Sequence, residues 1–200
     1  MASMVQPGNG WMNPSSSLSV IKIGGGLSAI PGALNRVCRA VGSARCSHRI
    51  LVVPGGGPFA DAVRDFDRTE GLAPTSAHWM AILAMDQYAH VLAERIAGAT
   101  LIEGPGAVLQ TLRTGGVAVL APFRWMRAAD VLPHTWEVTS DSIAAFVAGA
   151  LDAARLILIK PASEIPDPMD PHFAATLPAG LPFSTLGWDQ MDELAACLSG

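Results

Sequence analysis

The sequence predicts an α/β fold with a mainly parallel central sheet covered by helices on both faces. Three observations carry this. Short apolar runs alternate along the chain with stretches of helical periodicity. The runs are continuous rather than alternating in polarity, as in strands buried on both faces. The first two runs each end in three glycines just ahead of a helix.

Leu18 to Ile23 reads as the first strand, closed by Gly24-Gly25-Gly26. A helix is expected over Ala29 to Val41, with Pro31 and Gly32 in its first turn. Arg49 to Val53 is a second strand, ended by Pro54-Gly55-Gly56-Gly57. The next helix carries Ala60, Val63 and Phe66 on one face. Pro74, Thr75 and Ser76 start the longest helix, in which Ile82, Met85, Ala89, Leu92 and Ile96 recur at steps of three and four. Thr100 to Glu103 suits a brief strand, Val108 to Leu112 a short helix, and Val117 to Leu120 another strand. Trp136 to Val138 is expected to be extended. Ser140 or Asp141 then caps a helix through Ile143, Phe146 and Val147. Arg155 to Ile159 is the last strand read from the pattern. A proline-rich stretch and a short helix near Met191 to Leu198 follow.

Residues 1–17 are rich in Pro, Gly, Asn and Ser and read as a flexible leader. They lack the basic start and apolar run of a secretory signal. Residues 18–200 then form one domain, as suits a chain of 200 residues. Half of the residues are apolar, and charged residues make up only 15%. So little charge leaves apolar surface to be covered, which predicts a homo-oligomer. A net charge of −4 without a basic run argues against nucleic acid and anionic membrane as partners. No run reaches the ~20 apolar residues of a membrane span. Cys38, Cys46 and Cys197 form no metal-ligand spacing, and so sparse a set fits a reducing, cytoplasmic compartment.

In parallel sheets, ligands sit beyond the carboxyl ends of strands. Both glycine turns lie on that rim, as do the Asp141 turn and Lys160. Glycine lets backbone amides approach an anion, and a helix start adds partial positive charge. Gly24, Gly25, Gly26, Gly55, Gly56 and Gly57 are therefore candidate phosphate ligands. Of thirteen lysines and arginines only Lys22 and Lys160 are lysines, and each ends a buried-looking strand. A charge there needs a partner, and a polyphosphate is a natural one. Asp141 reads equally as a first-turn acid or as an anion that fixes the lysine heads or holds Mg²⁺. Asp86, His90 and Glu94 recur at steps of four on the long helix. They suit a solvated face, so no metal ligand is assigned. Asp61 and Asp65 follow the second glycine turn and are either first-turn acids or contacts for a cationic group. His134 and Trp136, ahead of the Asp141 turn, are candidate acceptor contacts. The chain has no GxxxxGK(S/T) phosphate loop and no GxGxxG fingerprint.

Three motifs, in order, resemble the amino acid kinase superfamily. They are Val20-Ile21-Lys22-Ile23-Gly24-Gly25-Gly26, Val52-Val53-Pro54-Gly55-Gly56-Gly57, and Thr139-Ser140-Asp141-Ser142-Ile143-Ala144-Ala145. The resemblance covers about residues 18 to 160. It implies a three-layer αβα sandwich and transfer of the ATP γ-phosphoryl group with Mg²⁺ to a small molecule. By analogy Lys22 binds the phosphoryl in transfer and Asp141 orients the catalytic lysine. The first glycine turn and Ser140 then line the phosphates, and the second turn holds the acceptor or the transferring group. Ala77 to Gln87 and Trp136 to Ala144 are similar to the branch that phosphorylates aminomethyl-furanmethanol phosphate in methanofuran-type cofactor synthesis. That implies a phosphate monoester as acceptor and a diphosphate as product; Asp61, His134 and Trp136 are, by their positions beside the turns, the candidate contacts for that acceptor. Two features depart from the superfamily. Ile159-Lys160-Pro161-Ala162 replaces an acidic Thr-Asp turn, and the downstream nucleotide-binding segment is shortened, leaving Lys160 as its only lysine. A different acceptor, or a family member that binds without chemistry, are the alternative readings.

Overall fold

The computed structural model describes residues 17–161 and 169–199. The expected leader, apart from Ser17, lies outside the described residues, as do Pro166 and Pro168. Six strands form one sheet: β1 (Leu18–Ile23), β2 (Arg49–Pro54), β3 (Ala99–Ile102), β4 (Val117–Leu120), β5 (Arg155–Lys160) and β6 (Phe183–Gly187). Their spatial order is β3-β4-β2-β1-β5-β6, and every pair is parallel.

Helices α1 (Ala33–Ala44), α2 (Gly57–Glu70), α3 (Pro74–Arg95), α4 (Pro105–Arg113), α5 (Phe123–Ala129), α6 (Ser140–Ala150), α7 (Phe173–Thr176) and α8 (Leu194–Ser199) connect and cover the strands. The alternation of strand residues splits the core into two layers. Ile21, Ile23, Ile50, Val52, Ile157 and Ile159 face one layer, with Val37 of α1 and Leu194 of α8. Val20, Leu51, Val53, Leu156 and Leu158 face the other, with Val108 of α4 and Ile143 and Val147 of α6. The long helix α3 serves both. Trp79, Ile82 and Met85 enter the second layer, whereas Tyr88, Leu92 and Ile96 enter the first. This is the helix–sheet–helix sandwich that the sequence predicts.

The structure corrects several expectations. The first helix begins at Ala33, because Gly25–Ala29 forms a 3-10 turn. Trp136 lies in a turn, not an extended segment. Thr139, rather than Ser140 or Asp141, caps α6, its hydroxyl accepting from the Asp141 amide at 3.3 Å. Three of these elements were not predicted. One is α5, whose first amide, Phe123 N, donates to Asp86 at 2.9 Å. Another is the four-residue α7, which lies in the proline-rich stretch. The third is the edge strand β6, which pairs with β5 from Leu156↔Phe183 to Lys160↔Gly187. Among the described residues no helix is long and apolar enough to cross a membrane. Burial pushes the Cys38 thiol up to about 11, which makes it inert.

The chain runs from β1 to β2 on one side, and β5 later docks on the other flank of β1. The sheet order therefore reverses beside β1, the point at which open parallel sheets form a crevice. There the two glycine turns touch. A Cβ on Gly25 would stand 2.1 Å from Gly57 N, and one on Gly55 would stand 2.5 Å from Gly25 N. By contrast, a Cβ on Gly106 in α4 would meet nothing within 4 Å. Gly25→Ala is expected to cost about 1–3 kcal/mol or more through backbone displacement. Gly106→Ala is expected to gain up to about 1 kcal/mol of helix propensity. Urea unfolding of both variants checks the contrast.

Candidate active site

Strand alternation aims both lysines at the same layer. Lys22 follows Val20, and Lys160 follows Leu156 and Leu158, all on the α6 side of the sheet. In the register of β1 on β5, Lys22 lies opposite Leu158, so the two lysines occupy neighbouring strands one step of two apart. The first turn of α6 delivers Asp141 between them. Lys22 Nζ is 2.8 Å from Asp141 Oδ1, and Lys160 Nζ is 2.7 Å from Oδ2. All three side chains are at least 93% buried.

Burial alone would raise the Asp141 carboxyl. The adjacent Lys22 and Lys160 ammonium groups outweigh it and hold that carboxyl below the usual carboxylate range. Two ammonium groups and one carboxylate thus meet at the reversal point of the sheet. The start of α6 is itself fixed from outside. The Asp170 carboxylate accepts from Thr139 N at 2.9 Å, Thr139 Oγ1 at 2.8 Å and Ser142 N at 3.0 Å, and from the Ser142 hydroxyl. An anion on the first amides of a helix also satisfies its dipole.

A cleft of about 250 Å³ opens beside this cluster. Its walls are Gly25, Gly26, Gly56 and Gly57 of the two corners, Ile82 and Met85 of α3, Trp136, and Thr139 and Ser140 at the start of α6. Asp141 follows Ser140 of the wall. Lys22 Nζ is 3.7 Å from where Gly24 would carry a Cβ, so the charge cluster adjoins the cleft at the first corner. The corners are tied to neighbouring strand ends. Gly24 N donates to Ile159 O at 2.9 Å, and Gly55 N to Ile23 O at 2.8 Å.

The other predicted contacts divide. Trp136 lines the cleft, and its Nε1–H donates to Asp67 Oδ2 at 2.6 Å. Asp61 lines the cleft too, but its carboxylate receives Arg64 Nη1 at 2.9 Å. Asp65 is likewise taken by Arg68. His134 lies on the wall of an adjoining cavity of about 270 Å³, not on that of the main cleft. There its ring bonds Asp130 at 2.8 Å and Thr75 at 3.0 Å and stacks on His78. His90 and Glu94 are exposed, and among the described residues no cluster of acids, histidines or cysteines could hold a metal.

Sequence reasoning missed four residues. Arg64 lines the cleft with its guanidinium 4.7 Å from the Trp136 ring centre, a cation–π contact. His78 lines both cavities; burial, then the nearby His134, lower its pKa to about 4, so it is a neutral imidazole. Asp67 holds Trp136, and Asp170 holds α6. The step of three from Asp61 to Arg64 was a visible signal, but it is also that of any surface ion pair.

Removing one partner of a buried ion cluster costs about 3–5 kcal/mol, because the remaining charges stay buried. Asp141→Asn is therefore expected to lower stability by about that amount in urea unfolding near neutral pH. The folded carboxyl lies below its unfolded value, so its stabilisation is complete above about pH 4 and fades as pH falls through the folded value. The gap between wild type and Asp141→Asn should accordingly narrow at low pH, and a gap independent of pH would contradict the ion cluster.

Comparisons with known proteins agree on one family. The amino acid kinase family model matches residues 17–165. The chain is 27% identical over 141 residues to a (5-(aminomethyl)furan-3-yl)methyl phosphate kinase of Methanocaldococcus jannaschii, a match covering 70% of this chain. The chain spans about 64% of the length of that relative. Among solved structures, the UMP kinase of Bacillus anthracis superposes with a TM-score of 0.67 at 14% identity, covering 90% of this chain and 92% of that one. The uridylate kinase of Archaeoglobus fulgidus does so with a TM-score of 0.56 at 18% identity, covering 73% and 63%. With its strand order, glycine corners and matched residues taken together, the chain belongs to the amino acid kinase family.

Proposed function

We propose that this chain is an ATP-dependent kinase of a small phosphate monoester, and that its acceptor is (5-(aminomethyl)furan-3-yl)methyl phosphate or a near analogue. The observation that carries the reading is the single buried carboxylate gripping two ammonium groups where two glycine corners meet. The family membership and the curated relative support it.

In this reaction an oxygen of the acceptor phosphate attacks the γ-phosphorus of ATP. The new P–O bond forms as the bond to the β,γ-bridging oxygen breaks, and ADP leaves with that electron pair. A phosphate monoester, with a second pKa of about 6, is already mostly dianionic near neutral pH, so no general base is required. Catalysis then rests on positioning and charge neutralisation. Lys22 and Lys160 neutralise the charge of the phosphates in transfer, and Asp141 keeps both heads in place. The amides of Gly24, Gly25 and Gly26 line the nucleotide phosphates with Ser140. The corner at Gly55, Gly56 and Gly57 holds the acceptor phosphate, with Arg64, Trp136 and Asp61 on the surrounding wall.

The bare glycine corners suit a polyphosphate, since no side chains cover their backbone amides. Both oxygens of Asp141 are held by lysines, so among the described residues no carboxylate set is left for Mg²⁺. The nucleotide phosphates would hold the ion, which would screen their charge. Residues 18–200 act as one domain in this reading. The low charge content and the exposed Phe66 and Leu83, on the paired helices α2 and α3, support a homo-oligomer. A small-molecule kinase of this composition, with three free cysteines, fits the cytoplasm.

Purified protein with ATP, Mg²⁺ and the furan phosphate should yield a diphosphate by mass spectrometry. Binding of both substrates without product would instead favour a non-catalytic family member. Lys22→Ala is expected to lower kcat by about a hundredfold or more while circular dichroism remains native, since Lys160 still partners Asp141. A folded Lys22→Ala protein with wild-type kcat would remove Lys22 from the chemistry.

A further inference from the structure

The main cleft does not end at Trp136. His78, Thr135 and Trp136 line both it and the adjoining cavity of about 270 Å³, so the two spaces share a wall. The indole of Trp136 separates two opposite charges. The Arg64 guanidinium lies on its face, 4.7 Å from the ring centre, and belongs to the main cleft. The Asp67 carboxylate receives its N–H at 2.6 Å and belongs to the second cavity. The neighbouring acids of α2 are neutralised on their own helix, Asp61 by Arg64 and Asp65 by Arg68. Among the described residues no cation forms a salt bridge with Asp67. It accepts only the indole N–H and the Leu72 amide, at 2.8 Å. It also sits in the last turn of α2, where the helix dipole disfavours an anion.

We infer that the second cavity is an ammonium subsite, in which Asp67 receives the cationic amine of a zwitterionic acceptor whose phosphate lies at the glycine corners. This inference rests on the kinase reading only for the position of the phosphate. The two spaces differ in the way such a molecule requires, with the guanidinium N–H donors of Arg64, paired with Asp61, toward the phosphate end and the carboxylate of Asp67 toward the amine end. Between them stand flat groups, the Trp136 indole and the His78 imidazole. His78 is neutral, so its ring accepts an unsaturated heterocycle without repelling the ammonium group. The remaining groups on this wall do not cancel Asp67. His134 is bonded to Asp130 and Thr75, and Pro74, Ala77 and Leu72 are apolar. A charge-assisted contact in a half-buried cavity discriminates strongly, because a ligand lacking the amine leaves the carboxylate desolvated and unmatched.

Calorimetric binding of two ligands tests the subsite without requiring turnover: (5-(aminomethyl)furan-3-yl)methyl phosphate and its methyl analogue, (5-methylfuran-3-yl)methyl phosphate. The full chain should bind the amine about tenfold or more tighter than the analogue. Asp67→Asn should erase that preference. Trp136→Phe, which removes the indole N–H but not the carboxylate, should retain it, and this separates recognition of the ammonium group from mere support of the indole. Equal affinity of the wild type for both ligands, no binding of either, or a preference that survives in Asp67→Asn would overturn the subsite. Should Asp67→Asn fail to fold, the wild-type preference together with its retention in Trp136→Phe decides. A clear amine preference with no diphosphate formed from ATP would leave the subsite standing and defeat the kinase reading instead.

Discussion

One carboxylate holding two ammonium groups in a nearly water-free corner constrains much of the surrounding chain. A buried charge without a partner is among the costliest features a fold can carry. Lys22, Asp141 and Lys160 therefore have to arrive together, and three separate features of the fold bring them. Strand parity points both lysines at one layer, the pairing of β1 with β5 sets their offset, and the capped first turn of α6 presents the acid. A slip of one residue in β1 or β5 would turn a lysine toward the opposite, mainly apolar layer. The ion cluster thus works as a register pin.

The glycine corners are the complementary constraint. Where Gly25 and Gly57 approach, no atoms other than backbone fit, so the rim of the sheet there is a surface of peptide groups. Peptide amides are fixed dipoles that need no reorganisation when a charged ligand arrives. The ion cluster and these fixed dipoles lie side by side at one end of β1.

The sequence made the rim legible because its signals are compositional and local. Triple glycines after apolar runs, and lysines confined to two strand ends, remain visible without coordinates, and they located Lys22, Lys160 and both corners. Asp141 was readable as a helix-start acid but not as a clamp, because its partners lie on strands distant in sequence. Arg64 and Asp67 were hidden for a different reason. On α2 they look like ordinary solvated charges, and only Trp136, which meets Asp67 across 69 positions, gives them separate surroundings. Asp170 sat unremarked among prolines. The edge strand β6 was missed because three of its five residues are exposed and its first half shows no apolar pattern. Its conformation is imposed by pairing with β5.

The hold of Asp170 on the start of α6 has a consequence for where this molecule can be cut. Among the described residues, the segment after the family match contributes no wall to the cleft, yet it caps the helix that carries Asp141. It also supplies the strand flanking Lys160. A chain trimmed at the match boundary would keep every glycine and both lysines but lose the brace that aims the carboxylate at them. The cooperative folding unit therefore extends past the recognisable motif. In this protein the tail acts as a buttress for the corner that holds the ion cluster rather than as an appendage.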